Sequence, residues 1–189
     1  MTASAAPLGL QCVQHPTGIE RSTQYNIATG YATNIFKGDP VIMAIATGTI
    51  TIGAAAVALL GVFVGVEYID VTGKPTYSNF WPGGQTTLTG SLINAWVKTE
   101  TGAIFEIQAI GSMPQTSIGK EFDIVFGTGN TATGLSNTAL NTVAATTGSQ
   151  KQFRVIDFGK NPDNVAGDAF TIVRVVLAQP QLNAVSTGL

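Results

Sequence analysis

The chain has one cysteine, Cys12, and one histidine, His15. A lone thiol excludes an intrachain disulfide and leaves the redox compartment open, since one cysteine suits the cytosol, a virion or a secreted protein. Nucleophilic catalysis by Ser or Cys needs a nearby base, and His15 is the only imidazole, held between Gln14 and Pro16. Cys12 and His15 form a C-x-x-H, but with no other Cys or His zinc lacks half of its usual soft ligands. No metal or other cofactor is therefore expected, and no catalytic residue.

Charge is also scarce. Charged residues make up 11% of the chain, against about 25% in an average soluble domain. The net charge of -2 lacks the basic footprint of a nucleic-acid binder, so nucleic acid is not expected as a direct partner. A surface this neutral suits a chain that lives inside a larger assembly. The first twenty residues have neither the basic start nor the continuous apolar stretch of a secretory signal, because the first positive charge is Arg21.

Helical signal is thin too, since no dozen-residue window carries a 3.6-residue apolar stripe with caps at both ends. The best helical candidate, Leu135 to Ala145, carries Asn and Thr that lower its helix propensity throughout. From Val41 to Val66 no charge appears, which is long enough to span a bilayer. Pro40, Gly48, Gly53, Gly61 and Gly65 interrupt that stretch, and Glu67 and Asp70 follow it instead of a basic cluster, so no membrane contact is expected.

Strands are present in quantity. Read with period two, the uncharged stretch becomes VIMAIA, a Thr47-Gly48 turn and TITIGA, followed by GVFVGVEYID. The last is apolar on both faces, which implies cover on both sides by a second sheet or a neighbouring subunit. In AIFEIQAI, Phe105, Ile107 and Ala109 share one face; in EFDIVFG, Phe122, Ile124 and Phe126 do; and in FTIVRVVLAQ, Val173, Val175 and Leu177 lie opposite Arg174. Pro180 ends that run. The expected fold is all-β, an antiparallel β-barrel or jelly-roll-like sandwich. Residues 1–24 are expected to form an extended arm, residues 25–189 one β-rich domain, and residues 127–150 a long polar loop within it.

Other chemistry reads weakly. Glu67, Asp70, Glu106, Glu121 and Asp123 supply carboxylates for a glycosidase-like pair, but on strand faces expected to be solvated. NPDNVAGD, residues 161–168, departs from the alternating acidic pattern of a calcium loop and reads as a Pro-Asp turn. Gly127-Thr128-Gly129 lacks the glycine spacing of a dinucleotide loop. Tyr77, Phe80 and Trp81 cluster in PTYSNFWPGG, with Trp96 nearby in sequence. Such aromatics serve as a sugar-stacking platform, as interface anchors, or as core closed by a Pro82-Gly83 turn.

The segments KGDPVIMAIATGTI, GVFVGVEYID, PTYSNFWPGG, GTGNTATGLSNTALN and FRVIDFGKNPDNVAGDAFTIVRVVLAQPQ resemble the capsid decoration, or cement, proteins of tailed bacteriophages. The resemblance covers Lys37 to Trp81 and Gly127 to Gln181. It implies a β-rich protein on the outer surface of the virion, homotrimeric, bound to the major capsid protein and clamping the shell against genome pressure, with no catalytic residue. Within the arm, Leu8, Leu10 and Val13 are the expected capsid contacts, and Tyr77, Phe80 and Trp81 the expected interface aromatics. The alternative is a receptor- or glycan-binding β-sandwich of a virion or cell surface.

Overall fold

The computed structural model describes residues 4–146 and 149–182, and within them the chain is built from fourteen strands. Part of the expected arm, residues 1–3, and two residues of the expected polar loop, 147 and 148, lie outside the described residues. Two six-stranded sheets carry the fold. The first contains β1 (Gln11–Gln14), β10 (Ile104–Gln108), β14 (Ile172–Leu177), β13 (Phe153–Phe158), β11 (Glu121–Val125) and β12 (Ala139–Ala144), in that spatial order and antiparallel throughout. The second contains β4 (Pro40–Ala44), β5 (Thr49–Ile52), β2 (Thr23–Ile27), β9 (Ile93–Lys98), β6 (Gly61–Ile69) and β7 (Pro75–Ser78). Because β4 also pairs with β6, all of this sheet except β7 closes into a barrel. One pairing of the barrel, β2 with β5, is parallel. A short ribbon joins β3 (Ile35–Phe36) to β8 (Phe80–Trp81).

Each sheet has its own core. Alternation on β10, β11, β13 and β14 turns Phe105, Ile107, Phe122, Ile124, Phe153, Val155, Val173 and Val175 to one face, where Leu10 and Leu140 join them. Phe126, at the end of the β11 run, packs partly buried against the same core. The barrel interior holds Ile27, Val41, Ile50, Phe63, Val66, Trp81, Ile93 and Val97.

Strand β6 serves both cores. Its ladder with β9 jumps from Phe63–Val97 to Gly65–Trp96, leaving Val64 as a one-residue bulge. The bulge resets the alternation, so that Phe63, Val66 and Tyr68 all enter the barrel while Val62 joins the first core. This chain thus supplies cover on both faces of GVFVGVEYID only at its start, around Val62 and Phe63, while Gly65 and Glu67 lie on the outer face of the barrel. Leu59 and Leu60 divide likewise, one to each core. At the head of β6 a Cβ on Gly61 would lie 2.1 Å from the Lys98 carbonyl oxygen, so only glycine allows β4, β6 and β9 to converge there.

Two glutamines tie the lobes together. Gln152, fully buried, accepts from the Ile124 N–H and donates to the carbonyls of Ala54 and Val57. Gln181 accepts from the Met43 N–H and donates to the Met43 carbonyl.

Two expectations change. Residues 11–14 form edge strand β1, Leu10 is 2% exposed in the first core, and β2 begins at Thr23, so the described part of residues 1–24 is integrated into the domain and is not an arm. Residues 139–144 of the expected loop are strand β12, which also replaces the helical candidate at Leu135 to Ala145. The uncharged stretch Val41 to Val66 is β4, β5 and the start of β6, and among the described residues no helix is long and apolar enough to cross a membrane.

Candidate binding surfaces

The aromatic cluster of PTYSNFWPGG disperses in the fold. Trp81 is fully buried in the barrel, its indole N–H donating to the Tyr31 carbonyl at 2.9 Å and its ring meeting Tyr68 edge-on. Phe80 stacks on Phe36, with ring centroids 5.4 Å apart. Trp81 is core and is not an open interface anchor, while Phe80 is half-buried beside its stacking partner. Tyr77 alone points out, 73% exposed on β7.

Its partner comes from another strand. Trp96 alternates with the buried Ala95 and Val97, so it lies on the outer face of the barrel, opposite Gly65 on β6. Tyr77 and Trp96 line one surface groove of about 300 Å³ with Gly65, Val66, Ser78 and Asn79. Beside them Asn26, Asn94, Glu67 and Tyr77 stand in register across β2, β9, β6 and β7. The Tyr77 hydroxyl donates to Glu67 Oε1 at 3.1 Å. That carboxylate raises the phenol above its ordinary value and keeps the proton on it. Asn94 Oδ1 is sealed from solvent and has no hydrogen-bond partner among the described residues.

A second surface lies where the N-terminal segment meets the first sheet. The Ala6 N–H donates to Gln108 Oε1 at 2.8 Å, Gln108 Nε2 donates to the Ser4 carbonyl, and the Leu10 N–H donates to the Gly38 carbonyl. These bonds seat residues 4–10 against β10 and leave a mainly apolar groove of about 140 Å³ lined by Ala6, Leu8, Gly9, Gln11, Glu106, Gln108 and Ile172. Leu8 is 51% exposed there and Val13 is exposed on β1. Leu10 points the other way, into the core, and is not available as a capsid contact.

The charges of the first sheet's outer face are matched to one another. Glu106 pairs with Arg174 at 2.9 Å, Glu121 with Arg154 at 2.7 Å, Asp123 with Lys151 at 3.1 Å and Asp157 with Lys160 at 2.5 Å. Three of the five carboxylates weighed as a catalytic pair, Glu106, Glu121 and Asp123, are thus held by cations, Asp70 accepts bonds within its own turn from Thr72 and Lys74, and Glu67 accepts from Tyr77. Lys151 also donates to the Val143 carbonyl, which places a charged side chain against edge strand β12.

Cys12 and His15 do not converge on a metal. His15 Nε2 lies 3.0 Å from Glu100 Oε2, Cys12 is half-buried with its thiol pushed up by desolvation, and among the described residues no three His, Cys, Asp or Glu side chains gather. Asn164 of the NPDNVAGD turn donates to the carbonyls of Gly159 and Ile172 and accepts from the Ile172 N–H, a structural use that matches the turn reading.

One polar cluster escaped sequence reasoning. Asp39, 2% exposed where the lobes meet, accepts from the hydroxyls of Ser136 at 2.5 Å and Thr138 at 2.9 Å and from the Phe36 N–H at 2.8 Å. Desolvation still outweighs these three bonds and holds the carboxyl above the ordinary aspartate range.

Comparison with protein-family models, curated proteins and solved structures finds no match to this chain.

Proposed function

We propose that the chain is a structural virion protein, a head decoration or cement protein that binds the outside of a phage capsid. In this reading it attaches as a homotrimer to the major capsid protein, reinforces the shell, and has no enzymatic role, cofactor, nucleic-acid contact or membrane contact. The resemblance of five of its segments to such proteins supports the assignment and suggests the trimer.

The observation that carries the reading is the N-terminal segment seated on the first sheet. It holds Leu8 beside an apolar groove whose one charged lining residue, Glu106, is paired with Arg174. Such a surface docks on a neighbour with little desolvation of unpaired charge. In a trimer three copies of it act together, each made intramolecular once the first is engaged, so a modest contact holds firmly.

Purified protein added to capsid shells that lack it should co-sediment with them to a fixed stoichiometry. Leu8→Asp places a charge on this half-exposed position and should leave the melting temperature nearly unchanged, while bound protein falls at least tenfold, a loss of about 1.4 kcal/mol or more per trimer. Wild-type protein that stays in the supernatant contradicts the assignment. A Leu8→Asp variant that binds as well as wild type contradicts the role given to this groove.

A further inference from the structure

We propose that the outer face of the barrel, centred on Trp96 and Tyr77, is a binding site for a pyranose ring of a neutral polysaccharide. The inference is independent of capsid attachment, which is assigned to the other lobe.

Three features of the site match that ligand class. The first is an aromatic surface: half-buried Trp96, in register with Gly65, and exposed Tyr77 line the same groove. The C–H face of a sugar ring is weakly positive and stacks on the negative face of an indole or phenol. The second is the neighbouring row of Asn26, Asn94 and Glu67. Carboxamides and a carboxylate beside the groove offer donors and acceptors to sugar hydroxyls, and such polar groups fix the orientation of a ligand.

The third feature is charge. Glu67 is the only ionisable group in that row apart from the Tyr77 phenol, and the chain carries a net -2, so an anionic sugar is repelled and a neutral one is not. The groove, about 300 Å³, falls at the small end of ligand clefts and suits one ring of a longer chain.

Affinity electrophoresis through gels cast with dextran, laminarin, mannan or xylan tests the proposal. At least one polymer should retard the intact protein, Trp96→Ala should abolish the retardation, and Tyr77→Ala should weaken it about tenfold. The chain has two tryptophans and Trp81 is sealed in the barrel, so oligosaccharides of the retarding polymer should shift the fluorescence of Trp96. Trp96→Phe keeps a stacking ring and should bind while losing that fluorescence response, which separates loss of the platform from loss of fold. The proposal is overturned if none of the four polymers retards the wild type. It is equally overturned if Tyr77→Ala and Trp96→Ala are retarded as strongly as the wild type, or if fluorescence does not respond.

Discussion

Asp39→Ala should lower the unfolding free energy by about 3 kcal/mol, because it strips the acceptor from two hydroxyls and one amide at the junction of the lobes. Each abandoned buried donor costs about 1–3 kcal/mol on its own, and relief of the carboxylate's own desolvation offsets part of the sum. Asp39→Asn keeps an oxygen for Ser136 and Thr138 but turns an N–H toward that of Phe36, and should cost less. The two aspartate forms also separate by pH. The folded-state pKa of Asp39 lies above its unfolded value, so the stability this group contributes is complete below the ordinary aspartate pKa of about 3.9 and is lost as pH rises through the folded pKa. Asparagine does not titrate. The stability advantage of wild type over Asp39→Asn should therefore shrink as pH rises across that window in urea unfolding measured from pH 4 to 8. An advantage that grows with pH would mean that the three hydrogen bonds outweigh burial.

Deleting residues 2–17 should unfold the first lobe or leave it prone to aggregation. The cut removes Leu10 from the core, and Leu→Ala at such a site alone costs about 2–5 kcal/mol. It also removes β1 and bares the edge of β10, a row of unpaired N–H and C=O groups ready to pair with another chain. Leu10→Ala should reproduce a loss of about 3 kcal/mol with the fold retained, whereas Leu8→Ala should change stability by less than about 0.5 kcal/mol. Chemical denaturation of the three variants decides the matter. If the truncated chain unfolds at the same urea concentration as the intact one, the N-terminal segment is not part of the folded domain.

What the sequence disclosed and what it hid follow from where burial is one-sided. AIFEIQAI, EFDIVFG and FTIVRVVLAQ face a core on one side and solvent on the other, so their inward residues are legible from period two alone. Edge strands β1, QCVQ, and β12, ALNTVA, mix polar and apolar residues without a period of two, and their pairing rests on backbone ladders that leave no alternation to read. GVFVGVEYID announced cover on both faces, but not that a bulge at Val64 splits its side chains between two cores of one chain and leaves Gly65 and Glu67 on an outer face. The aromatics of PTYSNFWPGG are neighbours in sequence and part company in space, with Trp81 inside and Tyr77 outside. The Tyr77–Trp96 groove depends on the register of β6 against both β7 and β9, which no local pattern encodes. Asp39 meets Ser136 and Thr138 across separations of 97 and 99 residues, and a lone Asp before Pro40 in a turn gives no sign of such partners.

A density map of the particle to which the proposal assigns this chain, a phage head, tests that proposal most directly. The account predicts the two-lobed β fold on the outer surface of the head, three copies around each attachment point, with Leu8 and the groove beside it turned toward the major capsid protein. A particle whose outer shell shows no density for this fold, or one that carries it only inside the head or on the tail, would contradict the account.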